Sequence, residues 1–292
     1  MKIHLFFLFL AFSILSMSNS LCALNPLQNT LLPAEMPDNT TMSWSENGGM
    51  APTFKRIEIR GEQLVVTQRT FQDREPKSWY AKISLDDKKI AYRVFYDNKF
   101  DLIVNDKREG TVYDAGSEGV SIRAERVSKH ISSGPNSPLS GRNLSRYEAA
   151  AAAVKALAEK YKTDLKPVKE NFAIIDYNPA KHSFIIPEGK RTELNYLEIE
   201  QVETLFKQAV EENNKTAREG QKIENLDKYR LQFIPFLNQQ NEKVIWINGF
   251  CSNQPGWEKE LVLVKDGGNC YFNLYVNLTQ NSFEKFQVNG EG

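Results

Sequence analysis

The sequence predicts an α+β fold in two domains, each an antiparallel sheet backed by helix. Three observations lead there. Period-two apolar runs crowd residues 57–127 and 229–292. Two long stripes with helical spacing, around Tyr147–Tyr161 and Ile199–Val210, stand next to them. Past residue 23 no apolar run approaches the ~20 residues that a membrane helix needs. The division expected is 1–23 signal peptide, 24–50 leader, 51–165 N-terminal domain, 166–190 linking hairpin and 191–292 C-terminal domain.

At the start, Lys2 precedes the apolar run Leu5–Phe12, and the small residues Ser18, Ser20 and Ala23 follow. That order reads as a secretory signal cleaved after Ser20 or Ala23. Cys22 raises the alternative of a lipid anchor, but Leu21 and Asn19 stand where a lipoprotein signal wants a small and an aliphatic residue. The remaining ~270 residues suit two modest domains. The whole chain has 37 basic and 37 acidic residues, with no basic stripe. That balance argues against a nucleic-acid partner.

In the N-terminal domain, Ile57 and Ile59 mark a first strand, Leu64–Thr67 a second and Trp79–Leu85 a third. Ser84 to Asp87 has cap spacing, and a helix follows through Ile90, Val94, Ala91 and Phe95. Phe100–Val104 and Gly119–Val127 read as further strands. Residues 128–142, with Gly134-Pro135 and Ser137-Pro138, read as a long loop. The helix from Ser145 carries the stripe Tyr147, Ala151, Val154, Ala158 and Tyr161. Its run of alanines favours helix and permits close approach to a sheet. Phe172–Ile175 and Phe184–Ile186 read as a hairpin around Asn178-Pro179.

The C-terminal domain opens on Asn195 and Glu198, a capping-box spacing. Ile199, Val202, Phe206 and Ala209 then form the apolar stripe of a helix. Tyr229–Leu237 and Lys243–Ile247 form a hairpin whose loop lacks glycine, so a connection of four or five residues is expected. Trp257–Val264 reads as the next strand and Cys270–Leu278 as the one after the Gly267-Gly268 turn. Phe283, Phe286 and Val288 mark a last strand. If Cys22 is removed, Cys251 and Cys270 remain, and two cysteines in an exported chain read as one disulfide. The alternative is two buried small hydrophobes.

Chemistry-bearing motifs are sparse. No phosphate-binding glycine loop and no His-Glu-x-x-His occurs. His130 and His182 lie in polar or turn contexts away from any nucleophile motif. Asp101, Asp106, Glu109 and Asp114 cluster in sequence. They offer a carboxylate pair or a calcium site, or simply a solvated face. No cofactor or metal site is expected, since two cysteines without a nearby histidine make a poor metal site. The best candidate surface is the polar face of the penultimate strand, with Tyr271, Asn273, Tyr275 and Asn277, joined by Trp246 and Trp257. The competing reading packs these residues beneath a helix, the hairpin or the first domain. Asn39, Asn143, Asn214 and Asn277 begin glycosylation sequons.

Asp266-Gly267-Gly268-Asn269-Cys270-Tyr271-Phe272-Asn273-Leu274, continuing through Asn277-Leu278-Thr279 to Val288-Asn289-Gly290-Glu291-Gly292, resembles the C-terminal end of exported proteins of Bacteroidetes-type bacteria. Trp246–Cys251 fits the same pattern, with Gly249 where such proteins often carry a second Cys. Gly48-Gly49, Asn98–Asp101 and Tyr113-Asp114 resemble their N-terminal segments. The resemblance covers about half the chain; it implies export and supplies no activity. A helix followed by a curled antiparallel sheet is also similar to cystatin-like and nuclear-transport-factor-like folds, scaffolds that host both binders and enzymes. The function expected is a secreted or periplasmic, non-catalytic binding protein with a protein or glycan partner. The alternatives are an envelope assembly protein, or a hydrolase acting on glycan or peptide.

Overall fold

The computed structural model describes residues 29–108 and 110–290. The segment read as a signal peptide, Cys22 and Glu109 lie outside them. Two open sheets organise the chain, each with its own core.

The first sheet contains β1 (Thr41–Asn47), β2 (Phe54–Arg60), β3 (Gln63–Arg69), β4 (Lys77–Lys82), β5 (Ser117–Ala124), β6 (Val127–Ser133) and β7 (Lys166–Pro167). Their order is β6-β5-β1-β2-β3-β4-β7, with antiparallel pairing throughout. Met42, Trp44, Ile57, Ile59, Leu64, Val120 and Ile122 project to one face. That face is covered by α1 (Leu85–Asp97) and α2 (Gly141–Lys160) through Ala91, Phe95, Tyr147, Ala151 and Val154. The Ser84 hydroxyl accepts from Asp87 N, as the cap spacing predicts. The Asp87 carboxylate in turn accepts from Tyr161 and Lys160, tying the two helices together.

Several expectations change here. The stretch read as leader contains β1, a central strand, because Met42 and Trp44 find partners on both sides of it. Phe100–Leu102 is a 3-10 turn and not a strand. The first half of the expected 128–142 loop is β6, turned tightly off β5 by Glu125 in the left-handed region.

The second sheet is built from β8 (Phe172–Ile174), β9 (Lys190–Arg191), β10 (Arg230–Leu237), β11 (Lys243–Phe250), β12 (Tyr271–Asn277) and β13 (Ser282–Val288). Its order is β13-β12-β11-β10-β8, with β9 also on β10. The five-residue connection between β10 and β11 matches expectation. The 166–190 segment makes no hairpin. Instead β8 lies parallel to β10, and the short helix α3 (Pro179–His182) follows. One face packs on α4 (Tyr196–Thr216), which starts with the predicted capping box of Asn195 and Glu198.

The cystatin-like or nuclear-transport-factor-like outline is overturned. Neither sheet closes or curls strongly around its helix; both are open. The reason lies in residues 257–264, expected to extend the curl as a strand. They form an irregular strap across the other face of the sheet, where Trp257, Leu261 and Val262 join Ile234, Phe236, Trp246 and Phe250 in a second core. The general α+β architecture, two antiparallel sheets backed by helices, stands.

Candidate functional site

The strap is fastened by two amides. Gln232 and Asn248 are directly opposed on β10 and β11 and are buried. Gln232 Nε2 donates to Trp257 O (2.6 Å) and Glu260 O (2.7 Å), and its Oε1 accepts from Val262 N (2.9 Å). Asn248 Nδ2 donates to Gln232 Oε1 and to Val262 O. Side chains from below thus satisfy backbone groups that a neighbouring strand would otherwise take. Cys251 and Cys270 are bonded, with S–S 2.04 Å and Cα–Cα 5.0 Å, and this bridge pins both ends of the loop containing the strap.

The strap, α3 and the extended chain after β8 enclose a groove of about 920 Å³. Its wall includes Asp176, Lys181, His182, Arg191, Glu258 and Lys259. Phe184 (64% exposed), Leu263 (55%) and Ile174 (37%) leave large apolar surface at the groove. Asp176 is ion-paired with Arg191 at 2.6 Å.

His182 lines the groove with only 4% of its surface exposed. Asn178 caps α3 through its side chain, and its backbone N–H donates to His182 Nδ1 at 3.1 Å. Burial, and then the neighbouring Lys181, push the imidazole pKa down. A neutral ring accepting at Nδ1 carries its proton on Nε2. That N–H meets no protein acceptor among the described residues.

The candidate residues from the sequence fall elsewhere. Trp246 and Trp257 are core residues, Trp257 edge-on to Phe250 and beneath the Arg230 guanidinium. Tyr275 donates to Ile185 O at 2.5 Å, and Tyr271 donates to Ser252 Oγ at 2.8 Å. Asn277 donates to Glu242, and Asn273 sits half-buried on β12 opposite Asn248. All four residues of this face are half-buried, and Tyr271, Tyr275 and Asn277 spend side-chain hydrogen bonds on the protein itself. Asn143 and Asn214 do likewise with Val104 O and Ile223 O.

The acidic cluster is not gathered into a site. Asp101 accepts from Thr30 Oγ1 and Leu31 N, fastening the N-terminal segment, while Asp106 and Asp114 hold no shared position with it. Among the described residues no group of three His, Cys, Asp or Glu is placed to hold a metal ion. His130 lies on the outer face of the first sheet between the Ser121 and Ser132 hydroxyls, at 2.8 and 3.1 Å.

Sequence reasoning noted His182 only as a turn residue and missed the groove. The signal present was local, Phe184 and Leu263 exposed within segments rich in turn residues. Their proximity depends on a fold that brings 176–184 and 258–263 together. No family model and no curated protein matches the chain.

Proposed function

We propose that this chain is an exported binding module that receives its partner in the groove between β8, α3 and the strap. The observation that carries the reading is the exposure of Phe184, Leu263 and Ile174 around a groove that also offers hydrogen-bonding groups. Most of the rest of the lining is polar and charged, so a partner would gain apolar contact from these three side chains and orientation from the groups around them. Export is supported by the signal-peptide pattern of residues 1–23 and by the Cys251–Cys270 bridge, which suits an oxidising compartment. Secreted and periplasmic locations both satisfy these features.

The test is a thermal-shift screen of the oxidised protein against one pool of oligopeptides and one of oligosaccharides. A ligand at a hundredfold excess over its Kd stabilises by about 2.7 kcal/mol. In a protein of this size that is a shift of several degrees, roughly 2–4 °C per kcal/mol. The Phe184→Glu variant should keep the unliganded Tm, since an exposed substitution stays within about 0.5 kcal/mol. It should lose the ligand response. An equal response in Phe184→Glu would remove the groove as the site.

A further inference from the structure

The outer edge of β8 is unpaired. β8 ends the sheet, and among the described residues neither a strand nor a loop backbone bonds to its far side. Its parallel ladder fixes which groups point there. Leu231 N donates to Asn171 O and Ile175 N donates to Phe233 O, so the odd residues face β10. Successive residues of a strand point their amides in opposite directions, and Phe172 and Ile174 therefore present N–H and C=O outward. The chain stays extended past Ile174 to Asn178 and forms one wall of the groove. Across it stand Phe184 and Leu263, and His182 lines it with an Nε2–H that has no protein acceptor among the described residues.

We infer that the groove takes an extended peptide, added as a strand to the outer edge of β8, with one peptide carbonyl accepting from His182 Nε2. The inference rests on the groove being the binding site. A peptide supplies the alternating donors and acceptors that Phe172 and Ile174 lack, and alternate side chains reach Phe184 and Leu263. The charge of the groove agrees. Lys181 and Lys259 stand beside Glu258 and Glu260, and of the groove's charged side chains only Asp176 and Arg191 form an ion pair among the described residues. Free charges of both signs complement a peptide of mixed charge and disfavour a polyanionic glycan.

The experiment pans a phage-displayed random dodecapeptide library against the oxidised full chain. An enriched sequence is then synthesised unmodified, and with N-methyl groups on one or the other set of alternate residues. Fluorescence anisotropy should show one N-methyl set losing at least tenfold in affinity and the other binding as the parent. Ile174→Pro removes only an outward N–H, which an edge strand tolerates, and should also cost at least tenfold. His182→Asn keeps an acceptor for Asn178 N and removes the groove donor; about a tenfold loss is expected, one neutral hydrogen bond. The N-methyl peptides keep the test valid if Ile174→Pro folds poorly. Peptides that bind equally in both methylated forms overturn strand addition. An oligosaccharide response that depends on Phe184, with no peptide enriched, overturns the peptide and leaves the groove standing. Silence from both classes removes the groove as well.

Discussion

Lys88 lies on the core-facing stripe of α1 with Ala91, Tyr92 and Phe95, and only 1% of its surface is exposed. Its ammonium forms no ion pair or hydrogen bond among the described residues. Burial pushes its pKa down, opposed in part by Asp38. A folded-state pKa below the unfolded value means that the unfolded chain holds this proton more tightly. The destabilisation is full below the folded pKa and is relieved as pH rises towards the unfolded value near 10.4. Lys88→Met keeps the length of the side chain and removes the charge. It should stabilise the protein by about 1–2 kcal/mol at pH 7, the scale on which buried polar groups cost stability. Urea denaturation at pH 7 and pH 10 checks both parts. The gain should shrink at pH 10, and a gain that does not change with pH would show that the lysine binds its proton equally in the folded and unfolded chain over this range. His182 is another buried titratable group, and its role differs because a local N–H fixes its tautomer.

At the scale of elements, the strap is held by few groups. Replacing Gln232 with Met would leave Trp257 O, Glu260 O and Val262 N without their partners, each a loss of about 1–3 kcal/mol if it stays buried. Release of the strap into water limits that cost. The expected result is therefore local opening, with the Val262 amide exchanging at least tenfold faster while the α4 amides keep their protection. Uniform acceleration across both would mean that the strap and the helix layer open as one unit. The strap also shows where sequence reading stops. Leu261–Val264 has strand-like composition, yet its backbone partners are the amides of Gln232 and Asn248, more than ten residues away, and no local pattern announces them. The caps at Ser84 and Asn195 were legible because donor and acceptor lie three residues apart. The disulfide was legible from cysteine count and spacing. β1 was not, since its polar alternation around Met42 and Trp44 becomes a strand only through β2 and the distant β5. The groove fails for the same reason: its two walls are about 80 residues apart in sequence, and β8 is three residues long.

For the whole molecule, two independent cores meet at a small junction. Tyr80 of β4 stacks on Tyr196 of α4 with ring centroids 5.3 Å apart, and its hydroxyl donates to Glu200 at 2.8 Å. Lys166 and Lys169 pair with Glu200 and Glu203, and Arg60 with Glu193. Ion pairs this open to solvent contribute about 0–1 kcal/mol each. The Glu200 carboxyl is held below its ordinary range by Lys166 and then Tyr80, against the effect of burial. That contribution is present above the unfolded carboxylate pKa and is lost as pH falls through the lower folded value. The less expendable contact is Gln63 of β3. It is nearly buried, and its Oε1 accepts from Tyr196 N (2.6 Å) and Leu197 N (3.3 Å). One domain thereby satisfies the free N–H groups at the start of the other domain's main helix. Gln63→Ala should cost about 1 kcal/mol, the usual loss for a helix cap. It should also weaken the coupling, so that calorimetry resolves two transitions, or one visibly broadened, where the parent shows a single sharper one. Raising the salt concentration on the parent should do less, because it touches only the exposed pairs. If Gln63→Ala melts as the parent does while high salt splits the transition, the junction is held by its charges and the cap contributes nothing to coupling.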